Sequence, residues 1–174
     1  ENTQSIELDR IKNNKKISII YRNNGPKENL LVFDKFRKKC RIKGFKLYIA
    51  NNLKLANYCK ADGLYISSYN KKIYPKQRLD LIGSAHNFKE IYGKIKQGCS
   101  MVILSRLFET SYKNKKNYLG VIRFNLIKRN YSTNLVPLGG INDDNLLKLN
   151  LVDSNALSLF SEIKKKPAIS NRLF

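Results

Sequence analysis

The sequence predicts an α/β fold, specifically a TIM (β/α)8 barrel lacking its first strand. Three observations point there. Seven short apolar runs recur at near-even spacing along 174 residues. Each is followed by a stretch with helical character. Strict β–α alternation implies a parallel sheet with right-handed crossovers. A doubly wound sheet satisfies the same alternation, and even spacing over seven units favours the barrel. A barrel needs eight strands and typically about 250 residues. The chain begins at Glu1 rather than Met, on a basic segment read as a helix. The missing strand is therefore expected before Glu1, or to be absent.

The elements follow in order. Ile17–Tyr21 is a β-branched run. Leu30, Phe33, Phe36 and Cys40 then recur at helical spacing up to a stop at Gly44. Lys46–Ala50 is the next strand, Leu53–Tyr58 a short helix, and Gly63–Ser67 the third strand. A polar loop with Pro75 leads to a short helix over Lys76–Leu79 and to the strand Leu81–Ala85. The helix Phe88–Lys96 ends at Gly98, a C-terminal capping glycine. Met101–Ser105 is the most continuous apolar strand, and the polar, basic segment Arg106–Tyr118 reads as a loop. A helix over Gly120–Lys128 precedes the strand that runs from Leu135 into Gly139 and Gly140. Asn142, Asp143 and Asp144 can cap a helix over Asn145–Leu149. Ala156–Ser161 is the last strand. Residues 1–163 are read as the barrel and 164–174 as a basic tail.

Composition narrows the function classes. Apolar residues make up 42%, which excludes a disordered polyelectrolyte. No apolar run approaches the roughly 18 residues of a membrane span, so no membrane partner is expected. There is no charged-then-apolar leader at the start. Lys and Arg number 34 against 13 acids, a formal net charge of +21. Such a charge suits nucleic acid or an anionic surface. The basic residues are, however, spread along the chain among many Asn, Ile and Tyr, as compositional bias would leave them. No RRM, helix-turn-helix or zinc signature is present, so nucleic acid ranks below a small phosphate as partner. Cys40, Cys59 and Cys99 lack CxxC spacing, which argues against zinc and against a disulfide framework. A cytoplasmic, reducing location fits them, and homo-oligomerisation stays open.

In a barrel the working residues sit where strands end at the C-terminal face. Those positions carry Arg22, Asn51, Asn52, Ser67 to Asn70, Ser84, His86, Ser105, Arg106, Gly139, Gly140 and Ser161. Amides, hydroxyls, a few cations and one imidazole converge there without a carboxylate pair. Two-carboxylate acid–base catalysis and a carboxylate cage for Mg²⁺ are poorly supported. Gly139–Gly140, between an apolar strand and a capped helix, suits a phosphate on bare backbone N–H groups. It equally suits a tight turn that needs glycine conformations. His86 is the sole histidine, placed just past a strand end, where it can carry a proton near pH 7. Its bland alternative is a structural histidine.

The strings "IIYRNN", "GFKLYIANNLKLANYCKADGLYISS", "IGSAHNFKEI", "FETSYK", "VPLGGIN" and "ALSLFSEI" occur in this order over about Ile17 to Ile163. Together they resemble the thiamine phosphate synthase/TenI family. The resemblance implies a TIM barrel in thiamine biosynthesis. Its synthases, which are transferases, join a pyrimidine diphosphate to a thiazole phosphate with Mg²⁺. Its TenI branch includes thiazole tautomerases. It implies substrate- or phosphate-binding roles for Arg22, Asn51, Asn70, Ser84, Thr110, Lys113, Gly139, Gly140 and Ser161. It implies a proton-shuttle role for His86.

The match is partial. At the second family strand Arg22 remains, while the Gln and Lys of the family segment do not. The family's two metal carboxylates fall on amides: the first at Ala50–Asn51, so at or beside Asn51, and the second at Asn70. No metal ligand is assigned, because amides supply no charge to Mg²⁺. Electrostatic deletions of this kind cost about 3 kcal/mol each in transition-state stabilisation. Synthase chemistry is therefore expected to be weakened or lost, leaving a small phosphorylated substrate as ligand. The alternatives are a tautomerase using His86 and a non-catalytic ligand-binding barrel.

Overall fold

The computed structural model describes residues 7–12, 15–23, 29–75, 78–110 and 117–159. The chain divides into two compact units. The first takes Glu1–Tyr65, Gln77–Asp80 and Ile163–Phe174, and the second Ile66–Lys76 and Leu81–Glu162.

In the first unit β1 (Ser18–Tyr21) pairs in parallel with β2 (Lys46–Ala50), Ser18 against Lys46 and Tyr21 against Ile49. β2 pairs in parallel with β3 (Gly63–Ile66), Tyr48 against Gly63. Strands covered on both faces must be apolar on both, and every residue of β3 is buried. Helix α1 (Leu30–Ile42) starts at Asn29, whose side chain accepts the Val32 N–H. It buries Phe33, Phe36 and Cys40. Tyr21 meets Phe33 edge-on at 4.8 Å and Phe36 at 5.3 Å, the ring geometry that their quadrupoles favour. Burial pushes the Cys40 thiol up to about 12. The short α2 (Leu53–Tyr58) is capped by Asn52, which accepts from Leu55 N. Gly63 is required where it stands, because a Cβ there would overlap both the Tyr48 ring and the Asp80 carbonyl. The Tyr48 hydroxyl donates to Asp80 Oδ2 at 2.9 Å.

In the second unit β4 (Asp80–Ala85, Asp80 itself counting with the first unit) pairs in parallel with β5 (Met101–Ser105). β5 pairs in parallel with β6 (Asn134–Leu138), Ser105 against Leu138. Helix α3 (Phe88–Lys96) is capped by Asn87, and α4 (Gly120–Arg129) buries Phe124. A 3-10 helix over Asp143–Leu151 closes the described part, with Asn142 and Asn145 forming a reciprocal capping box. Lys94 of α3 is buried, and its ammonium donates to Ser67 O (2.7 Å), Asn70 O (2.8 Å) and Gln97 Oε1 (2.9 Å). All three of its protons have acceptors, as a buried cation requires. Gly83 makes the room, because a Cβ there would sit 2.7 Å from Lys94 Cδ.

The alternation predicted from sequence is present in both units, three strands pairing in parallel in each, with the expected bounds within one residue at most ends. Four expectations change. The leading helix is only a 3-10 turn, Leu8–Arg10, among the described residues. Of the helix expected over Lys76–Leu79, the described residues Arg78 and Leu79 form a bend. The helix expected over Asn145–Leu149 is the longer 3-10 helix. The seventh strand, Ala156–Ser161, makes a single bridge, Ser158 to Leu138, among the described residues. Two features limit that pairing. Pro137 has no N–H for a further ladder. The Ser154 hydroxyl already donates to the Leu135 carbonyl.

Candidate functional site

Each unit brings its own set of strand-end residues together. In the first unit Arg22 follows β1, Asn51 follows β2, and Tyr65 lies in β3. Arg22 Nη2 donates to the Tyr65 hydroxyl at 3.2 Å, and its guanidinium stands 5.3 Å from the Tyr65 ring centre. Asn51 N donates to Tyr65 O at 2.8 Å, and Asn51 takes a left-handed backbone (φ +57°). Asparagine tolerates that conformation better than most residues.

The second unit holds the richer set, because β4, β5 and β6 are neighbours and their ends align. Ser84 is buried within β4, and His86 stands exposed one residue past it. The Ser105 hydroxyl at the end of β5 lies 2.7 Å from His86 Nδ1. His86 N–H donates to Glu90 Oε2 at 2.7 Å, which ties the residue to the first turn of α3. Next along β5, Arg106 Nη1 donates to Thr110 Oγ1 at 2.6 Å and Nη2 to Asn117 O at 2.7 Å. The end of β6 is locked to this segment, Leu107 N donating to Leu138 O and Phe108 N to Gly139 O.

Gly139 (φ +101°) and Gly140 (φ +72°) both need conformations closed to most side chains. A Cβ on Gly140 would overlap the Glu109 carbonyl, and one on Gly139 would lie 3.1 Å from Arg106 Cγ. The turn is therefore packed flat against the Arg106–Thr110 segment. It stands just before the Asn142-capped helix, with the aliphatic stem of Arg106 against Gly139. Helix N-termini and arginines attract anions.

Asn70 is placed differently. Its Oδ1 accepts Lys72 N at 2.9 Å, its Nδ2 donates to Tyr74 OH at 3.0 Å, and its carbonyl takes the Lys94 ammonium. An uncharged amide already engaged, with a cation on its own carbonyl, is a poor ligand for Mg²⁺. Among the described residues no group of three or more His, Cys, Asp or Glu could hold a metal ion. The donor set does not fit the family's Mg²⁺.

The structure thus brings Ser84, His86, Thr110, Gly139 and Gly140 onto adjacent strand ends of the second unit. Arg22 and Asn51 cluster in the first. Lys113 and Ser161 lie outside the described residues. Sequence reasoning placed Ser105 at a strand end without giving it a role in the site. The signal for Ser105 was its position one strand over from His86, which becomes a contact only once the register is known. Lys94 gave no signal, since a lysine on a helix is ordinarily solvated.

The chain is similar to known proteins in sequence and in fold. Residues 8–163 match the family model TMP-TENI, thiamine monophosphate synthase. A thiamine-phosphate synthase of Prochlorococcus marinus is 28% identical over 131 residues, which cover 71% of this chain and 37% of that protein. One from Clostridioides difficile (strain 630) is 26% identical over 144 residues, 80% of this chain and 69% of that protein. The chain thus spans little more than a third of the Prochlorococcus relative. In fold it is similar to a thiamine phosphate pyrophosphorylase from Pyrococcus furiosus, with a TM-score of 0.66 and 17% identity. That match covers 96% of this chain and 88% of that one. With ordered motifs, strand topology and a family match over most of its length in agreement, the chain belongs to the thiamine monophosphate synthase family, TMP-TENI.

Proposed function

We propose that the second unit binds a thiazole phosphate or a similar small phosphate at the Gly139–Gly140 turn, and that His86 moves a proton on it. The wider reading is a divergent thiamine-biosynthesis protein on an eight-stranded barrel of the kind the family implies. Its synthase chemistry with the pyrimidine diphosphate is weakened or lost. Three buried cysteines outside any disulfide suit a reducing, cytoplasmic setting.

One observation carries the proposal. A hydrogen-bonded imidazole, a guanidinium and a double-glycine turn occupy neighbouring strand ends, while Asn70, at one of the family's metal positions, is an engaged amide. Displacing pyrophosphate needs concentrated positive charge on the leaving group. A proton shift on a phosphate-anchored ring needs only an anchor and one base near neutrality.

The test is to assay purified protein for both condensation and thiazole tautomerisation, with His86→Ala alongside. The expected result is tautomerisation that falls by about 10²–10⁴-fold in the variant, the usual worth of a general base. Condensation should be slow and barely responsive to Mg²⁺. Fast, Mg²⁺-dependent condensation that His86→Ala leaves intact would overturn the proposal. A ligand-induced rise in melting temperature without turnover would favour the non-catalytic barrel.

A further inference from the structure

We propose that Ser105 is the positioning residue of His86, holding its imidazole so that both neutral tautomers remain accessible. The inference deepens the proton-transfer reading above and rests on it for its catalytic consequence only.

The contact is specific. Ser105 Oγ stands 2.7 Å from His86 Nδ1, and among the described residues the ring has no other hydrogen-bond partner. Both backbones are held. Ser84 and Ala85 of β4 pair with Ile103 and Leu104 of β5, so the next residues, His86 and Ser105, arrive side by side. Ser105 is held from the other side by its pairing with Leu138. His86 N–H is taken by Glu90 Oε2, and Glu90 Oε1 accepts from Asn87 Nδ2. Glu90 and Arg106, two charged groups on the flanking elements, are thus committed away from the ring. Glu90 is tied to the start of α3, its backbone N–H donating to Asn87 Oδ1, and Arg106 is held by Thr110 and the Asn117 carbonyl.

The chemistry follows from the partner type. A carboxylate or carbonyl at Nδ1 only accepts, and would lock the proton on Nδ1. A backbone N–H would lock the lone pair there. A hydroxyl does both. With Oγ accepting from Nδ1–H, Nε2 presents a lone pair and is a base. With the hydroxyl rotated to donate to Nδ1, Nε2–H is an acid. When Nε2 removes a proton from substrate, the imidazolium keeps Nδ1–H on Oγ. Returning that proton to a second substrate position restores the neutral ring, and the contact is kept throughout. A proton shift asks for this two-way competence of one group.

His86 is the only histidine in the chain, so its ring nitrogens can be read without ambiguity by ¹⁵N NMR. In the unliganded wild-type protein the neutral ring is expected to hold more Nδ1–H tautomer than a free histidine side chain does in water. Ser105→Ala should return it to the solution balance, and Ser105→Thr should keep the wild-type balance. With thiazole phosphate, Ser105→Ala should lower kcat about 10- to 100-fold at unchanged KM, with Ser105→Thr close to wild type. Identical ¹⁵N signatures in wild type and Ser105→Ala would overturn the proposal. So would a kcat loss that Ser105→Thr shares in full. A tautomer shift without any wild-type turnover would uphold the hold of Ser105 on His86 and remove the catalytic reading instead.

Discussion

Among single residues, the double-glycine turn is where sequence, backbone and chemistry meet. Gly140 has φ +72°, and a Cβ on it would press into the Phe108–Glu109 backbone. Neither partner is a flexible side-chain end, so the contact cannot be relieved cheaply. Strain of this kind costs of order 1–3 kcal/mol. Gly140→Ala is therefore expected to lower unfolding free energy by about that amount, measured by urea denaturation, and to weaken inorganic phosphate binding in a titration. A variant as stable as wild type with unchanged phosphate affinity would mean the turn is neither strained nor used.

Among the elements, α3 does more than cover the sheet. From its buried side Lys94 and Gln97 reach the loop after β3. The ammonium bonds Ser67 O and Asn70 O, and Gln97 Nε2 donates to Asn70 O (3.0 Å) and Lys72 O (2.7 Å). Burial lowers the Lys94 pKa, and the three acceptors give the charged form its partners. Lys94→Met would leave Gln97 Oε1 without this donor and take one of two donors from Ser67 O and Asn70 O, at about 1–3 kcal/mol for a buried polar group. Amide hydrogen exchange should rise over residues 67–72 more than in the strands. Gly83 and Lys94 are coupled by contact. Gly83→Ala should cost clearly more stability in wild type than in a Lys94→Ala background, a non-additivity that a double-mutant cycle reads directly. Additive costs would show that the close approach is not felt.

For the molecule as a whole, charge is the dominant fact. A net +21 on 174 residues draws polyanions at low ionic strength, whatever the fold does. Heparin and unrelated DNA sequences should bind alike at low salt and be released steeply as salt rises. Binding that persists at high salt, or that prefers one DNA sequence, would point to a dedicated nucleic-acid site. Within the second unit, Arg106 stands apart from this diffuse charge. Its guanidinium is held by Thr110 and the Asn117 carbonyl, and its aliphatic stem is set against the Gly139 turn. Among the described residues no helix is long and apolar enough to cross a membrane.

The order and direction of the strands were legible in the residues alone. Parallel strands buried on both faces must be written as continuous apolar runs, so Met101–Ser105 or Gly63–Ile66 announces itself without a partner. The cap at Asn142 was equally local, since it satisfies an N–H two residues away. The scarcity of carboxylates at strand ends was legible too, being a matter of residue type. Register and competition for partners belong to the folded chain. His86 meets Ser105 only because β4 and β5 pair as they do. Lys94 is a buried clamp only because Gly83 leaves it space. Ala156–Leu159 fails to extend the ladder because Pro137 lacks an N–H and Ser154 occupies the Leu135 carbonyl. Such contacts join residues about 10 to 27 positions apart. No local periodicity encodes them, because their energy exists only when the chain has already brought both groups out of water together.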